Sequence, residues 1–506
     1  MEVLRDDIVL SRESARAIDQ WAPDAISMPL GYVMENAGYG LADALAAHSS
    51  KDKTIVFVCG TGNNGADGFV AARHLMERGY SVLFYVHGDM AKATELFKEQ
   101  FNISRALRMP LTTHWGTIEW QQVGMMVEGL VGTGLRGDLR DTMVTFLQDM
   151  ERVAKQYRIP VCAIDMPAGI DATTGYVALG TLHYTYTVTF GATKQGLLLY
   201  PGKTYAGQVI VKELGLPWHL PGDDVYDTYI ISEKLVKSIL HERRGDGHKG
   251  TFGHVLVAGG HHGMAGAPIM AGNASVRAGS GKTTVAVPPD ALTVAQCQLM
   301  PEVMTASFES GSDIEELMET LDVLAIGPGM GRTHDIAEIV FNTIHVVKKP
   351  MVLDADALYA LGCVGQDVTF TNAIMTPHLG EFSRLVNQPI DDIKANYIEY
   401  ARQFAMAHDV VLLLKGIPAL VATPQGHVYI GTTGNPGMGT GGMGDALTGI
   451  VASFVAQGYR LEEAAILGTY LHGASADDLA QHRRWGYTPS EVAAHIGVMI
   501  TRLLNE

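Results

Sequence analysis

Short apolar runs that end in glycine or a small polar residue recur along this chain, separated by stretches of helical periodicity, and that alternation admits few folds. In the first half the runs are TIVFVCG, SVLFYVHG, VGMMVEGLVG and IPVCAID, with helical patterns running to Gly79, over 91 to 108 and over 139 to 156. In the second half they are HVLVAGG, TTVAVP, DVLAIGPG, PMVLDAD, AIMTPH and VVLLLKG. Strands alternating with helices build parallel sheets covered on both faces, and such sheets hold ligands at the carboxyl ends of their strands. Two α/β layer structures in tandem are therefore predicted. Ahead of the first, SRESARAIDQWA (11 to 22) reads as a helix opened by Ser11, and a second helix follows Pro29.

A chain of 506 residues exceeds one ordinary core. The stretch 215 to 250 carries proline, glycine and mixed charge around one short helical pattern, which places a boundary near Pro221 and domains at 1–220 and 221–506. A formal net charge of -17 argues against a general nucleic-acid or acidic-membrane surface, so any anionic ligand must be held by local devices. Cys59, Cys162, Cys297 and Cys363 lie far apart, against a disulfide framework or a zinc site. The opening MEVLRDDIVLSRESAR is acidic, and no apolar run approaches the roughly 18 residues that span a bilayer, so a cytoplasmic location is expected.

The stretch GNPGMGTGGMGDALTG, residues 434 to 449, concentrates the chemistry of the second half. Ala446, Leu447, Ile450, Val451, Phe454 and Val455 share one helix face, so a buried helix starts near Asp445, with Gly458 as its C-terminal stop. The glycines before it leave the first amides of that helix bare for an anion. Asp445 is either an N-cap or a general base beside a transferring phosphoryl group. Asp354 and Asp356 fall on one side if their strand continues, a pair suited to magnesium through water. His261 and His262 on a glycine loop read as solvated. His378, Glu381 and Lys415 stand at further strand ends.

In the first half, GTGNNGADG (60 to 68) contains a literal G-x-G-x-x-G, the pattern of a dinucleotide-binding turn. Asp67 counts against a pyrophosphate there, since its charge would occupy the helix end that a phosphate needs. Asn63, Asn64 and Asp67 offer hard oxygen ligands of the kind that alkali or alkaline-earth cations take. Glu128 precedes a second bare loop, Gly132 to Asp138, where Arg136 adds positive charge. Asp165, ending the buried run IPVCAID, is the best acid/base candidate of this half, and Lys194 could pair with it.

Together LGYVMENAG, GTGNNGADG, GLVGTGLRG, DMPAGID and TFGATK resemble the NAD(P)HX epimerase family over residues 1 to 217. GAPIMAG, GPGMG, DADAL, TPHLGE, LLLKG and GNPGMGTGGMGD resemble the ADP- or ATP-dependent NAD(P)HX dehydratases over 225 to 506. The resemblance implies a Rossmann-like three-layer domain followed by a ribokinase-like one, a bifunctional enzyme repairing hydrated nicotinamide nucleotides. It implies that Asn63, Asn64, Gly65, Ala66 and Asp67, with Gly132, Thr133, Gly134, Leu135, Arg136, Gly137 and Asp138, hold the hydrate, and that Asp165 acts near its reacting carbon. It further implies potassium on Asn64, Glu128 and Ala168, where the family usually has aspartate and serine at the last two. In the second half it implies that Ala267, Gly329, His378 and Asp445 touch the hydrate. Lys415, Gly416, Ile417, Pro418, Ala419 and Gly444 would hold ADP or ATP with magnesium. The usual threonine after Lys415 is missing from KGIPALV, and Ala66 stands where a third glycine is usual. ADP is the nucleotide implied by the fused arrangement, and a homo-oligomer is expected. A small-alcohol kinase with a regulatory N-terminal half, or a nucleotide-sensing module without catalysis, are the alternatives.

Overall fold

The computed structural model describes residues 5–216, 226–362, 369–370 and 372–505. Two compact units form, Ile8–Tyr226 and Asp227–Glu506, the latter joined by Met1–Asp7. The boundary read near Pro221 and the cysteine at 363 lie outside the described residues. Residues Arg5–Asp7 make a short turn against the strand Thr228–Ile231, with Asp6 3.7 Å from Lys234, which is why the first residues fall with the second unit. Among the described residues, no helix is long and apolar enough to cross a membrane.

In the unit Ile8–Tyr226 seven parallel strands stand in the order Leu111–Thr112, Ser81–Val86, Thr54–Cys59, Val123–Gly129, Val161–Ile164, Tyr186–Phe190 and Gln208–Lys212. Their cores are continuously buried, as expected of strands covered on both faces. Chain order reverses between Thr54–Cys59 and Val123–Gly129, so the loops after these two strands part and leave a crevice. The helices predicted at 11 to 22 and after Pro29 are Arg12–Ile26, capped by Ser11, and Leu30–Ala47. The glycine-rich turn at 60 to 68 differs from its expectation, because the helix Asn63–Glu77 begins inside it. A Cβ at Gly65 would lie 2.0 Å from the Gly60 carbonyl oxygen, and only glycine lets that first helical turn rest on the strand end.

The unit containing Asp227–Glu506 is built on ten strands. Their order is Thr228–Ile231, Val428–Gly431, Leu420–Ala422, Val411–Leu414, Ala373–Met375, Met351–Leu353, Val323–Ile326, His254–Ala258, Lys282–Val287 and Met304–Ser307. Leu420–Ala422 alone runs antiparallel to its neighbours. The reversal of order falls between His254–Ala258 and Val323–Ile326, and the loops at 259 to 265 and 327 to 333 flank it. The helix expected near Asp445 spans Met443–Ala456, its six apolar positions all buried. It crosses the helix Gly266–Arg277 so closely that a Cβ at Gly449 would stand 1.9 Å from the Ala271 carbonyl oxygen. Both helices pack against the central strands of the sheet, among them His254–Ala258.

Candidate active sites

At the switch point of the first unit lies a cavity of about 610 Å³. Asn63, Asn64, Asp67, Gly132, Thr133, Gly134 and Asp165 line it, as the sequence led one to expect. The helix Asn63–Glu77 is capped by Gly62 with no side-chain bond, so its first amides stay open to a ligand. Gly65 and Ala66 are buried against the strand end and do not face the cavity. Leu135 is buried and its carbonyl takes a 2.6 Å bond from Arg12, while Asp138 takes one of 2.6 Å from the Tyr176 hydroxyl. Arg136 and Gly137 are exposed and stand outside the cavity wall.

Asp165 sits in the left-handed region, φ +60°, immediately after its strand, a conformation that costs energy and persists where surroundings impose it. Its Oδ1 accepts from Lys194 Nζ at 2.5 Å, Thr189 Oγ1 at 3.0 Å and the Phe190 amide at 3.3 Å. Lys194 is buried and also donates to Thr189 Oγ1 and the Phe190 carbonyl, at 2.9 and 2.8 Å, so all three ammonium protons are engaged. Asp67 is pushed well above the ordinary carboxyl range, by burial first and then by Asp165 and Asp19. The same surroundings disfavour a full negative charge on Asp67 and so weaken the repulsion that the sequence suggested between this residue and a phosphate at the helix end.

Glu128 does not fit the part of a potassium ligand. Its carboxylate accepts from the amides of Leu130 at 2.5 Å and Ala168 at 3.1 Å, from the Tyr184 hydroxyl at 2.8 Å, and from the Val131 amide. Two carboxylate oxygens offer about four acceptor positions, and all are taken. The longer arm of glutamate is the cause, since it folds back onto donors of its own chain. Burial raises it to about 7, opposed by these hydrogen bonds. Ala168 meets Glu128 through its N–H, and Asn64 has a buried Nδ2 without a hydrogen-bond partner, a donor rather than a cation ligand.

The second unit gathers its candidates more tightly. Asp354, buried, accepts from Lys415 Nζ at 2.6 Å through Oδ1 and from Thr448 Oγ1 at 2.6 Å through Oδ2. A Cβ at Gly444 would stand 3.2 Å from Lys415 Nζ, which places the ammonium over the first turn of the helix Met443–Ala456. That helix is capped by Gly442 at φ +93° with no side-chain bond, so Asp445 is in the first turn without capping it and the bare-amide cradle stands. Burial pushes Asp445 up to about 6, helped by Asp354 and opposed by Lys415.

Around this centre, Gly329 at φ +65° packs beside Ala267, its Cβ position 3.2 Å from that of Ala267. Lys415 donates its amide to the Pro377 carbonyl at 2.7 Å, which seats it beside His378. His378 Nδ1 accepts from the amides of Gly380 and Glu381 at 3.0 and 3.3 Å, so the ring proton is on Nε2, 3.3 Å from Glu381. Burial and the Lys415 charge hold His378 below the ordinary histidine range. Gly416 and Ile417 are exposed, Pro418 gives its carbonyl to the Tyr397 hydroxyl at 3.2 Å, and Ala419 gives its own to the Gly431 amide. The expected pairing of Asp354 with Asp356 does not form. The strand stops at Leu353, Ala355 turns through φ +46° into a helix, and Asp356 binds the Gly331 amide and Arg332 Nε, each at 2.9 Å. Among the described residues no group of three or more histidine, cysteine, aspartate or glutamate side chains forms a metal site.

Residues 255–497 match the family model described as NAD(P)H-hydrate dehydratase, and residues 31–196 match that described as YjeF-related protein N-terminus. A bifunctional NAD(P)H-hydrate repair enzyme of Moorella thermoacetica is 33% identical over 92% of this chain and 91% of its own. Another, from Escherichia coli, is 31% identical over 97% and 93%. The chain belongs to the bifunctional NAD(P)H-hydrate repair enzyme family. The second unit also resembles a solved ribokinase-like superfamily protein of Enterococcus faecalis, 26% identical, with a TM-score of 0.51 over 55% of this chain and 98% of that one. The candidate residues gather at the sheet ends of both units, one group in each.

Sequence reasoning missed several residues of these sites. Arg12 holds the carbonyls of Thr133 and Leu135, 121 and 123 residues away, and so fixes the Gly132 loop, while it pairs with Asp171, 159 residues away. Thr448 and Asp19 were likewise unseen. Asp19 follows the buried Ala15 and Ile18 on its helix, and a carboxylate beside an apolar stripe reads as an ordinary solvated position.

Proposed function

We propose that the first unit interconverts the two epimers of hydrated NADH and NADPH, and that the second dehydrates the S-epimer at the expense of ADP or ATP. The observation carrying this reading is the convergence of Asp445, Lys415 and the uncapped amides of one helix at the switch-point end of the sheet. The hydrate carries a hydroxyl on its ring, and hydroxide is a poor leaving group. Water has a pKa of about 15.7 and a phosphate ester a second pKa of about 6. If half of that roughly ten-unit difference reaches the transition state, at about 1.4 kcal/mol per unit, the barrier falls by about 7 kcal/mol. Asp445, mostly ionised at neutral pH, takes the hydroxyl proton as the oxygen attacks the terminal phosphate. The ring nitrogen's lone pair then expels phosphate and restores NAD(P)H. Lys415, with one proton on Asp354, has two left for phosphate oxygens. Magnesium would travel on the nucleotide's phosphates and supply charge neutralisation, since Asp354 and Asp356 are each committed elsewhere.

Acid-hydrated NADH, an epimer mixture, incubated with the protein, magnesium and ADP or ATP in turn, is expected to recover its full dihydronicotinamide absorbance. Recovery that stops at the S fraction would mean a silent first unit, and a stable phosphorylated product would mean a small-alcohol kinase. Because Glu128 has no acceptor position left, epimerisation is expected to run at the same rate, with the same melting temperature, in sodium and potassium buffers. A loss in sodium would restore Glu128 as a cation ligand.

A further inference from the structure

Asp19 lines the first unit's cavity yet lies outside residues 31–196, the part matched by the family model. It stands on the helix Arg12–Ile26 beside Ile18, facing the space shared with Asp67, Asp165 and Lys194, with Arg16 at the same wall. Epimerisation at a carbon that carries both a hydroxyl and the ring nitrogen requires one proton to leave and another to arrive. Asp165 supplies the accepting side. Lys194 cannot supply the other, because its three protons are held by Asp165, Thr189 and the Phe190 carbonyl. Asp19 is open to the water of the cavity while ringed by protein. Burial, and then the charge of Asp165, raise it to about 6, with Lys194 acting the other way. Two carboxyls in one pocket, one paired to an ammonium and one pushed toward its acid form, are how acid and base roles are divided between like groups. Asp67 is pushed up as well, but it is in the first turns of the helix whose amides face the ligand.

We propose that Asp19 is the second proton-transfer group of the epimerisation, acting with Asp165 on the ring nitrogen and the hydroxyl of the hydrate. This rests on the epimerase reading of the first unit. Asp165 takes the hydroxyl proton, the carbon–oxygen double bond forms and the bond from that carbon to the ring nitrogen breaks. The released pair stays on the nitrogen, which takes the proton of Asp19. Rotation about the neighbouring carbon–carbon bond presents the other face of the aldehyde. The same steps in reverse close the ring and return both protons, with no oxidant or co-reactant.

The test uses the full chain and follows interconversion of the separated epimers by chromatography, without nucleotide. Asp19→Asn is expected to slow it by about 10²–10⁴-fold in kcat with KM little changed, and Asp19→Glu to recover part of the loss. The wild-type kcat/KM is expected to fall as pH rises through about 6, where Asp19 loses its proton, and Asp19→Asn to lack that limb. An unchanged thermal unfolding transition of the first unit in the same variant reports that this unit is folded. If the wild type does not epimerise, the reading of the first unit fails. If it does and Asp19→Asn keeps both rate and limb, or Asp67→Asn alone removes the limb, the role given to Asp19 is overturned.

Discussion

Asp445→Asn is expected to cut NADH recovery from the S-epimer by about 10²–10⁴-fold while leaving epimerisation intact and the second unit more stable. The rate follows from the loss of the only carboxyl in the helix's first turn. The stability follows from linkage. Asp445 is raised from the ordinary 3.8 to about 6, so the folded state holds its proton more tightly than the unfolded chain does. Below pH 3.8 both states are protonated and the group costs nothing; as pH rises to about 6 stability is lost, and above 6 the loss is complete. A two-unit shift is worth at most about 3 kcal/mol, and partial exposure to solvent reduces that to about 1–2 kcal/mol at pH 7. Calorimetry of the second unit's transition should show a gain of a few degrees at pH 7 that disappears by pH 4. The dehydratase kcat/KM of the wild type should fall as pH drops through about 6, where Asp445 becomes protonated and stops acting as a base. A variant less stable than the wild type would instead make this carboxyl a structural cap.

What the sequence made legible was whatever a local pattern encodes. Buried strands read as short apolar runs because both faces are covered, and the helix Met443–Ala456 read correctly because a 3.6-residue period and a glycine stop frame it. The partners of the buried Asp354 did not read, because they come from a distant strand end and a distant helix. Asp354 meets Lys415 and Thr448, 61 and 94 residues away. Pairing it with Asp356 assumed that the strand's two-residue period continued, and the left-handed turn at Ala355 breaks it. At Glu128 the resemblance implied a potassium ligand, and no local pattern shows that in the fold its carboxylate reaches the amides of Leu130 and Ala168 and the Tyr184 hydroxyl. The residues whose surroundings decide their role are the ones that a single sequence leaves open.

Lys415→Met separates the structural part of that lysine from its proposed work on the nucleotide. Asp354 keeps 2% of its side chain exposed and Lys415 19%, so removing the ammonium leaves a buried carboxylate held only by Thr448. Breaking a buried pair from one side costs about 3–5 kcal/mol, because the remaining charge has neither water nor partner. Chemical unfolding should show that loss in Lys415→Met. It should be largely recovered in Asp354→Asn with Lys415→Met, where the stranded charge is gone and the Thr448 hydroxyl can still donate to the amide oxygen. Nucleotide binding is expected to part company with stability at this point. ADP affinity, measured calorimetrically, should be weakened in the single and the double variant alike, since neither returns a positive charge to the mouth of the glycine cradle. If the double variant regained ADP binding along with its stability, Lys415 would be a strut beneath the site, and the phosphate would be held by the bare amides of Met443 to Asp445 alone.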